Sequence, residues 1–183
     1  MKKQQFIISI MAEDRVGIVA DVTDVIRQLG GNLADLSQTV LRGYFTMIVI
    51  ATFPNDVTRE KIREALEKLD PDHPFEIGLK TTSAHLVPEP DVYAGDRYVL
   101  TAVGPDRIGL VAAVAGCLRQ RHINIVDLTT RVADGMYTMI LMLALPPDTD
   151  IPELKTDISD ALAELGIQIQ LQHYDIFRAT NEV

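Results

Sequence analysis

The sequence has little of several residue types that would point to a particular class of protein: no tryptophan, one cysteine and only 5% aromatic residues. A single cysteine, Cys117, excludes an internal disulfide and a metal site built from several thiolates. Cys117 falls at an apolar position of a predicted helix, which favours a structural thiol over a nucleophile and fits a reducing compartment. No stretch approaches the roughly 18 consecutive apolar residues that span a bilayer, so we expect no membrane association.

Basic residues are also scarce. Lysine and arginine total 17 against 26 aspartates and glutamates, and the formal net charge is −9. Proteins that bind nucleic acid directly neutralise its phosphates with clustered Lys and Arg, and this chain has neither a basic face nor a helix-turn-helix pattern. We therefore expect no direct nucleic acid binding, so that any genetic role would act through a protein partner.

Signatures of catalytic and metal chemistry are missing as well. There is no Gly-x-Ser-x-Gly, no P-loop, no dinucleotide fingerprint, and no Cys-x-x-Cys or His-x-x-x-His spacing. The sequence thus predicts no catalytic residues, no metal and no cofactor. Residues 1–5 lead directly into an apolar run too short for a signal peptide, and we expect a cytoplasmic protein.

What the sequence does have is an internal repeat. Residues 6–54 and 98–146 align without a gap and are identical at 17 of 49 positions, and the heptad at 13–19 returns 92 residues later at 105–111. This period is far longer than the ~20–50 residues of a solenoid unit. Each copy is therefore expected to be a small domain with its own core.

Both copies show the same predicted order of secondary structure. In the first copy, apolar spacing and turn residues predict strand 4–11, helix 17–29, strands 32–41 and 44–53, helix 58–69 and strand 75–83. The second copy repeats the order as strand 97–104, helix 109–121, strands 124–133 and 136–145, helix 151–165 and strand 167–177. This is the split βαβ unit of ferredoxin-like folds. We expect an α+β protein with antiparallel sheets, in which domains 1–83 and 97–183 are joined by a proline-containing linker, 84–96.

Turn and cap residues agree with these boundaries. Gly30 and Gly31 should end the first helix, because glycine accepts positive φ. Arg42-Gly43 and Asp134-Gly135 each separate two strand patterns by two residues, as in a tight hairpin. Thr58 is expected to cap the helix that follows it.

The second strand of each hairpin, at 45–53 and 139–145, is apolar at nearly every position. A sheet with helices on one face and water on the other should alternate instead. Two interpretations stay open. Either part of the second face is covered, by the other copy or by another subunit, or these are central strands of high β-propensity.

The repeated motif resembles a known family. In both copies a strand is followed by Asp-Arg-x-Gly-[Ile/Leu]-Val at a helix start, and the next strand opens with Asn-x-x-Asp-Leu. This combination resembles the ACT domain, in two tandem ferredoxin-like copies that cover almost the whole chain. The resemblance implies a regulatory module that binds amino acids or other small ligands at the loop before the helix, often between paired domains, and hence a homo-oligomer such as a dimer.

Some ACT proteins are similar in more detail. Residues 32–40 running into 44–47 resemble free-standing ACT proteins and the ACT portions of formyltetrahydrofolate hydrolases. The tandem arrangement without an attached enzyme is similar to that of glycine-cleavage-system transcriptional repressors. The resemblance implies a non-enzymatic protein that binds a small amino acid of the glycine or serine type and acts through a protein partner in the transcriptional control of glycine or one-carbon metabolism.

The loop before each first helix is the candidate site for a free amino acid. A helix start presents backbone N–H groups without partners and a dipole that favours an anion such as a ligand carboxylate. Gly17 would allow close approach to the backbone, and Asp14 or the side-chain amide of Asn32 could accept hydrogen bonds from an ammonium group. The candidate ligand-binding residues are Asp14, Arg15, Gly17, Ile18 and Asn32, and in the second copy Asp106, Arg107, Gly109, Leu110 and Asn124.

Structural interpretations of these residues stay open at this stage. An Asp before a helix is a common N-cap, a Gly can serve tight packing and an Asn is frequent at strand entry. The two arginines could be solvated, and Asp35 and Asp127 could cap or pair locally.

The copies also differ. Pro105 replaces Glu13, and His122-Ile123 replaces Gly30-Gly31, so the two sites are expected to be different. Two alternatives to the sensor are kept: an ACT-type interaction or oligomerisation module without ligand binding, and an enzyme acting on an amino acid or a folate, which would need a catalytic domain that this sequence does not contain.

Overall fold

The computed structural model describes residues 3–82 and 96–181. The chain divides into two compact units, Met1–Pro88 and Glu89–Val183. The predicted linker, 84–96, lies outside the described residues apart from its last position.

The first unit has a four-stranded antiparallel sheet. Its elements are β1 (Lys3–Glu13), α1 (Ile18–Gln28), β2 (Asn32–Leu41), β3 (Tyr44–Pro54), α2 (Arg59–Glu67) and β4 (Glu76–Thr82). The strand order is β2-β3-β1-β4, and every neighbouring pair is antiparallel. The two strands that follow the helices, β2 and β4, therefore form the edges of the sheet.

The second unit repeats this topology and adds a helix at its end. Its elements are β5 (Arg97–Pro105), α3 (Leu110–Gln120), β6 (Asn124–Ala133), β7 (Met136–Ala144), α4 (Ile151–Leu162), a 3-10 turn (Ala163–Leu165), β8 (Gln168–His173) and α5 (Tyr174–Asn181). The strand order is β6-β7-β5-β8. The prediction of two tandem ferredoxin-like α+β units with antiparallel sheets is confirmed.

Each unit has its own hydrophobic core on the helix side of the sheet. In the first unit, alternate residues of β3 point inward to meet the apolar stripes of the helices: Phe45, Met47, Val49, Ala51 and Phe53 face Ile18, Val22, Val25, Ile26, Ile62 and Leu66. In the second unit Met139, Leu141 and Leu143 face Val114, Leu118, Leu154, Ile158 and Leu162. The period-2 pattern of the strands and the period-3.6 pattern of the helices thus meet in one apolar layer. Full burial of one such large side chain stabilises the folded state by about 1.5–3 kcal/mol.

The predicted turns and caps are confirmed. Arg42 and Gly43 both have positive φ, 51° and 84°, and so do Asp134 and Gly135, at 52° and 73°, as a two-residue hairpin of this hand requires. Thr58 caps α2 by accepting a hydrogen bond from the backbone N–H of Lys61 at 3.3 Å.

One predicted strand is too long. The prediction of strand 167–177 is wrong beyond His173, because residues from Tyr174 onward form α5. The imidazole Nδ1 of His173 accepts the backbone N–H of Asp175 at 3.3 Å, which satisfies one of the donors left open at a helix start. An acid in the first turn and Arg178 in the last turn of α5 also suit the helix dipole.

The face of each sheet away from the helices carries apolar side chains. Ile48 on β3 is 54% exposed and Ile140 on β7 is 36% exposed. Both strands lie in the interior of their sheets, as the interpretation of central strands requires. That another copy or subunit covers this face stays a prediction.

Candidate functional site

The loop between β1 and α1, residues 14–17 (the first loop), ends in a glycine held in a left-handed conformation. Gly17 is the N-cap of α1, with φ 97° and ψ −10°, and no side chain caps the helix. Residues 106–109 (the second loop) end in the same way at Gly109, with φ 93° and ψ 0°. Asp14 and Asp106 are therefore not N-caps, and the glycines serve backbone conformation, because L side chains avoid this region.

Both loops are tied to the neighbouring hairpin turn. The backbone N–H of Asp14 donates to the carbonyl of Gly43 at 2.8 Å, and that of Asp106 to the carbonyl of Gly135 at 3.1 Å. The first helical bond closes onto the glycine, from Asp21 to Gly17 at 2.9 Å. The N–H groups of the residues just after the glycine have no carbonyl four residues back. Each loop thus presents an anchored helix start with open donors.

The remaining loop side chains divide between solvent and core. Val16 is 99% exposed, and Ile108 at the same position of the second loop is fully exposed. Ile18 and Leu110 are only 1% and 3% exposed. The two predicted site residues at the helix starts therefore belong to the cores with their side chains and can offer a ligand only their backbone.

Arg15 is held by two carboxylates from different elements. Its Nη1 lies 2.9 Å from an oxygen of Asp21, its Nε lies 3.0 Å from an oxygen of Asp70, and its guanidinium sits over the ring of Phe75 at 5.8 Å. The hydrogen bond with Asp21 raises the pKa of Arg15. The backbone N–H of His73, at 3.0 Å, and then Arg15 hold the pKa of Asp70 below its usual range.

Arg107 has no such partners. Its Nη1 donates to the backbone carbonyl of Glu164 at 3.4 Å, and no carboxylate pairs with it within residues 3–82 and 96–181. The positions 92 residues beyond the partners of Arg15 hold Ala113, Leu162 and Ile167. The motif itself gives no sign of the partners of Arg15. The sequence signal for them is the difference between the two copies at these three positions, where only the first copy has acids and an aromatic residue.

Asn32 lies at the other end of the sheet from the first loop. In the strand register Asn32 is opposite Thr52, which is opposite Gln5 at the beginning of β1. The loop instead follows Glu13, which is opposite Tyr44. Eight residues of strand span about 26 Å, far more than a free amino acid. The expectation that Asn32 helps the loop of its own unit is wrong, because α1 runs back along the sheet before β2 begins.

The same correction applies to the second unit. Asn124 is opposite Ala144, which is opposite Arg97 at the beginning of β5, whereas the second loop follows Pro105 at its end. The substitution of Gly30-Gly31 by His122-Ile123 also lies at the far helix end and does not touch the loop. There His122 itself adopts a positive φ of 56°.

Asp35 makes a local hydrogen bond within its own strand, in agreement with the structural interpretation of this residue. A β-bulge shifts the register of β2 between Leu33 and Asp35, and a carboxylate oxygen of Asp35 accepts the backbone N–H of Leu36 at 2.8 Å. The second unit has the same bulge between Ile125 and Asp127. These acids belong to the edge strands and not to the loops.

The main grooves of the two units are lined by residues outside the loops themselves. A groove of about 600 Å³ runs between α3 and α4 and includes Cys117 and Arg121. The matching groove between α1 and α2, of about 690 Å³, includes Asp21, the partner of Arg15. A third, of about 440 Å³, lies on the open face of the first sheet beside Ser9 and Gly78. Burial raises the pKa of the Cys117 thiol, which suits a structural role. Each loop is thus an exposed surface feature.

The described part of the chain contains neither a metal-binding cluster nor a membrane-spanning helix. Within residues 3–82 and 96–181, no three His, Cys, Asp or Glu side chains come together in a way that could hold a metal ion. None of the helices in the same ranges is long and apolar enough to cross a membrane.

Comparison with known proteins agrees with this architecture. A UPF0237 protein of Listeria innocua is 36% identical over 88 residues, which are 48% of this chain and 99% of that protein. A solved structure of an unknown protein from Galdieria sulphuraria is 30% identical with a TM-score of 0.70 and covers 94% of this chain and 99% of its own. The structure of a putative glycine cleavage system transcriptional repressor has the same fold, with 19% identity, a TM-score of 0.69 and coverage of 94% and 98%.

The model of the ACT domain matches twice, at residues 4–80 and 96–172. These two ranges contain the two sheets, the helices packed on them and both loops. The chain therefore belongs to the ACT-domain family, as a tandem pair of its domains.

Proposed function

We propose that this protein is a cytoplasmic, non-enzymatic regulator. It binds a small amino acid of the glycine or serine type at the loops before α1 and α3 and passes its state to a protein partner, in the transcriptional control of glycine or one-carbon metabolism. The net charge of −9 disfavours direct contact with nucleic acid, which makes a protein the natural partner.

One observation carries the proposal: both units build the same anchored helix start. Two loops 92 residues apart each end in a positive-φ glycine, leave the helix without a side-chain cap and bond to the adjacent hairpin turn. Uncapped N–H groups at a helix start bind carboxylates, and Asp14 and Asp106 lie beside them as acceptors for an ammonium group. Together these groups match the two charged ends of a free α-amino acid.

The proposal includes a homodimer, which gives Asn32 and Asn124 a role. The edge strands β2 and β6 are each ten residues long and exposed along almost their whole length, and such an edge is a ready template for another strand. If either strand pairs antiparallel and over its full length with the same strand of a second copy, Asn32 lies opposite the partner's Leu41 in β2, and Asn124 lies opposite the partner's Ala133 in β6. Each asparagine then lies at the sheet end that carries the partner's loop. The ligand would then lie between protomers.

Calorimetric and thermal titration with each of the twenty amino acids tests the proposal. A ligand at 100 times its Kd should stabilise the protein by about 2.7 kcal/mol. Glycinamide, which lacks the carboxylate, and acetate, which lacks the ammonium group, are the matched controls and should have little effect. If no amino acid raises the melting temperature at millimolar concentration, amino acid sensing is excluded.

The second candidate function is an interaction module that binds no small ligand. It is favoured by the exposure of both loops and by grooves that lie elsewhere in each unit. Sedimentation equilibrium separates the candidates, because this module would form the same dimer with and without every amino acid tested. A sensor should instead show an oligomeric equilibrium or melting temperature that shifts with one of them.

A further inference from the structure

The two loops differ in what lies over the helix start. A methyl group placed on the α-carbon of Gly17 would come 3.8 Å from Nη1 of Arg15. The same group on Gly109 would meet no heavy atom of the described residues within 4 Å, apart from its two chain neighbours. Nη1 of Arg15 also donates to the carbonyl of Val16 at 3.3 Å. The guanidinium of Arg15 is therefore folded back over its own loop, and the space above the second loop is open.

Three of the five N–H donors of Arg15 already bind groups of the protein: Nε binds Asp70, and Nη1 binds Asp21 and the carbonyl of Val16. Asp21 comes from the first turn of α1 and Asp70 from the segment between α2 and β4, so the ion pairs join two elements across the loop. The side chain of Asp70 is only 17% exposed, which protects this pair from water more than a surface pair. A ligand carboxylate that binds Nε or Nη1 of Arg15 would have to displace one of these two carboxylates.

The charge around the two loops also differs, because the second loop has fewer acids near it than the first. Four acids of the first unit, Glu13, Asp21, Asp70 and Glu76, correspond 92 residues later to Pro105, Ala113, Leu162 and Gln168. The first turn of α1 contains Asp21, and the first turn of α3 contains no acid. An acid in the first turn already compensates the positive end of the helix dipole. Of these two helices, only α3 therefore begins with an uncompensated positive dipole end.

We propose that the second loop, through Arg107 and the start of α3, receives the carboxylate of the ligand, while the ion pairs of Arg15 keep the first loop closed. This inference rests on the proposed amino acid binding and assigns it to one of two similar loops. Asp21 and Asp70 occupy in the first loop the place that the ligand carboxylate takes in the second. The tandem protein then contains one responsive domain and one that is held permanently in a ligand-like state.

The closed state of the first loop can be tested without any ligand. Phenylglyoxal reacts with accessible guanidinium groups, and mass spectrometry of peptides gives the rate at each arginine. We expect Arg107 to react several-fold faster than Arg15, with the exposed Arg42 as an internal reference, and Asp21→Asn with Asp70→Asn to accelerate Arg15 alone. If Arg15 and Arg107 reacted at equal rates in the unaltered protein, the proposal that the ion pairs of Arg15 close the first loop would be wrong.

The assignment of the ligand is tested by calorimetric titration with glycine and with serine. We expect one ligand per chain, a loss of about tenfold or more in affinity for Arg107→Gln, partial retention in Arg107→Lys, and a much smaller loss in Arg15→Gln. The double variant Asp21→Asn, Asp70→Asn should gain a second ligand, with circular dichroism confirming that it is folded.

The outcomes distinguish the two proposals. Two ligands per chain in the unaltered protein, or a loss in Arg15→Gln but not in Arg107→Gln, would overturn the assignment while amino acid sensing stands. If neither amino acid binds any variant, sensing of these ligands has failed, and the phenylglyoxal rates alone decide whether the first loop is closed.

Discussion

Single residues set the conformation of the loops. Gly109 is held at φ 93° with open space around it, so its role is a backbone shape and not close packing. Arg15 and Arg107 are the same residue in the same motif, yet one is bound by two carboxylates and the other by a carbonyl. At this scale, the chemistry of a motif residue depends on its spatial neighbours.

We predict that Gly109→Ala lowers the free energy of unfolding by about 1–2 kcal/mol, because an L residue resists the left-handed region. Gly116, inside α3, is the matched control, since a methyl group there meets no atom of the described residues within 4 Å apart from its chain neighbours and the nearby backbone of its own helix. Gly116→Ala should stabilise the protein by roughly 0.5–1 kcal/mol through helix propensity. Urea denaturation measures both, and equal effects of the two changes would contradict the role assigned to the loop glycine.

The pair of Arg15 and Asp70 predicts a dependence of stability on pH. Because the pKa of Asp70 is lowered by the N–H of His73 and by Arg15, the group stabilises the folded state above the ordinary aspartate pKa of about 3.9. This contribution is lost as pH falls below that value towards the lowered pKa. Asp70→Asn should therefore be less stable than the unaltered protein at neutral pH and lose less on acidification, measured as melting temperature against pH. If the melting temperatures of the two proteins fell in parallel with pH, this role of Asp70 would be refuted.

At the scale of elements, caps decide where helices begin. The side chain of Asp150 accepts the backbone N–H of Glu153 at 3.0 Å at the start of α4, and Thr58 caps α2 in the same way. We predict that Asp150→Ala and Thr58→Ala each cost about 1 kcal/mol in urea denaturation. Thr156 is the control within α4, because its hydroxyl only bonds back to Pro152, and Thr156→Ala should be close to neutral. If Thr156→Ala lowered the free energy of unfolding as much, the losses at Thr58 and Asp150 could not be attributed to capping.

The end of β8 shows how neighbouring elements compete. Ile167, Ile169 and Leu171 alternate with glutamines, and Tyr174 and Ile176 are again two residues apart, although out of phase with the first series. The backbone instead turns into α5, where the imidazole of His173 accepts the backbone N–H of Asp175, the second residue of the helix. Local periodicity could not distinguish these outcomes, since a short amphipathic helix and a strand end share apolar residues at such spacings.

At the scale of the whole molecule, the proposed dimer depends on the exposed edge of the first sheet. Val40 and Leu41 on β2 are 47% and 69% exposed. We predict that Val40→Lys, which adds a charge of the kind that blunts natural edge strands, weakens dimer formation in sedimentation equilibrium. Ile48→Lys is the control, because Ile48 is similarly exposed at 54% but lies on the central strand β3. Weakening by the control and not by Val40→Lys would place the interface on the sheet face.

The sequence by itself determined the repeat, the order of strands and helices, the hairpin turns, the cap at Thr58 and the family. These features are encoded by residues close together in the chain, through periodicity, glycine conformation and capping. It also located both loops, because a motif at a strand end and a helix start is local.

Only the tertiary structure decided which residues surround those loops. Asn32 follows the motif closely in sequence but begins β2 at the opposite end of the sheet, and Asp70 reaches Arg15 from 55 residues away. Strand direction and register set such distances, and a local pattern does not contain them. For the same reason the motif Asp-Arg-x-Gly could be found twice from its letters, while the difference between a bound Arg15 and an open Arg107 depends on side chains that folding brings to the loop.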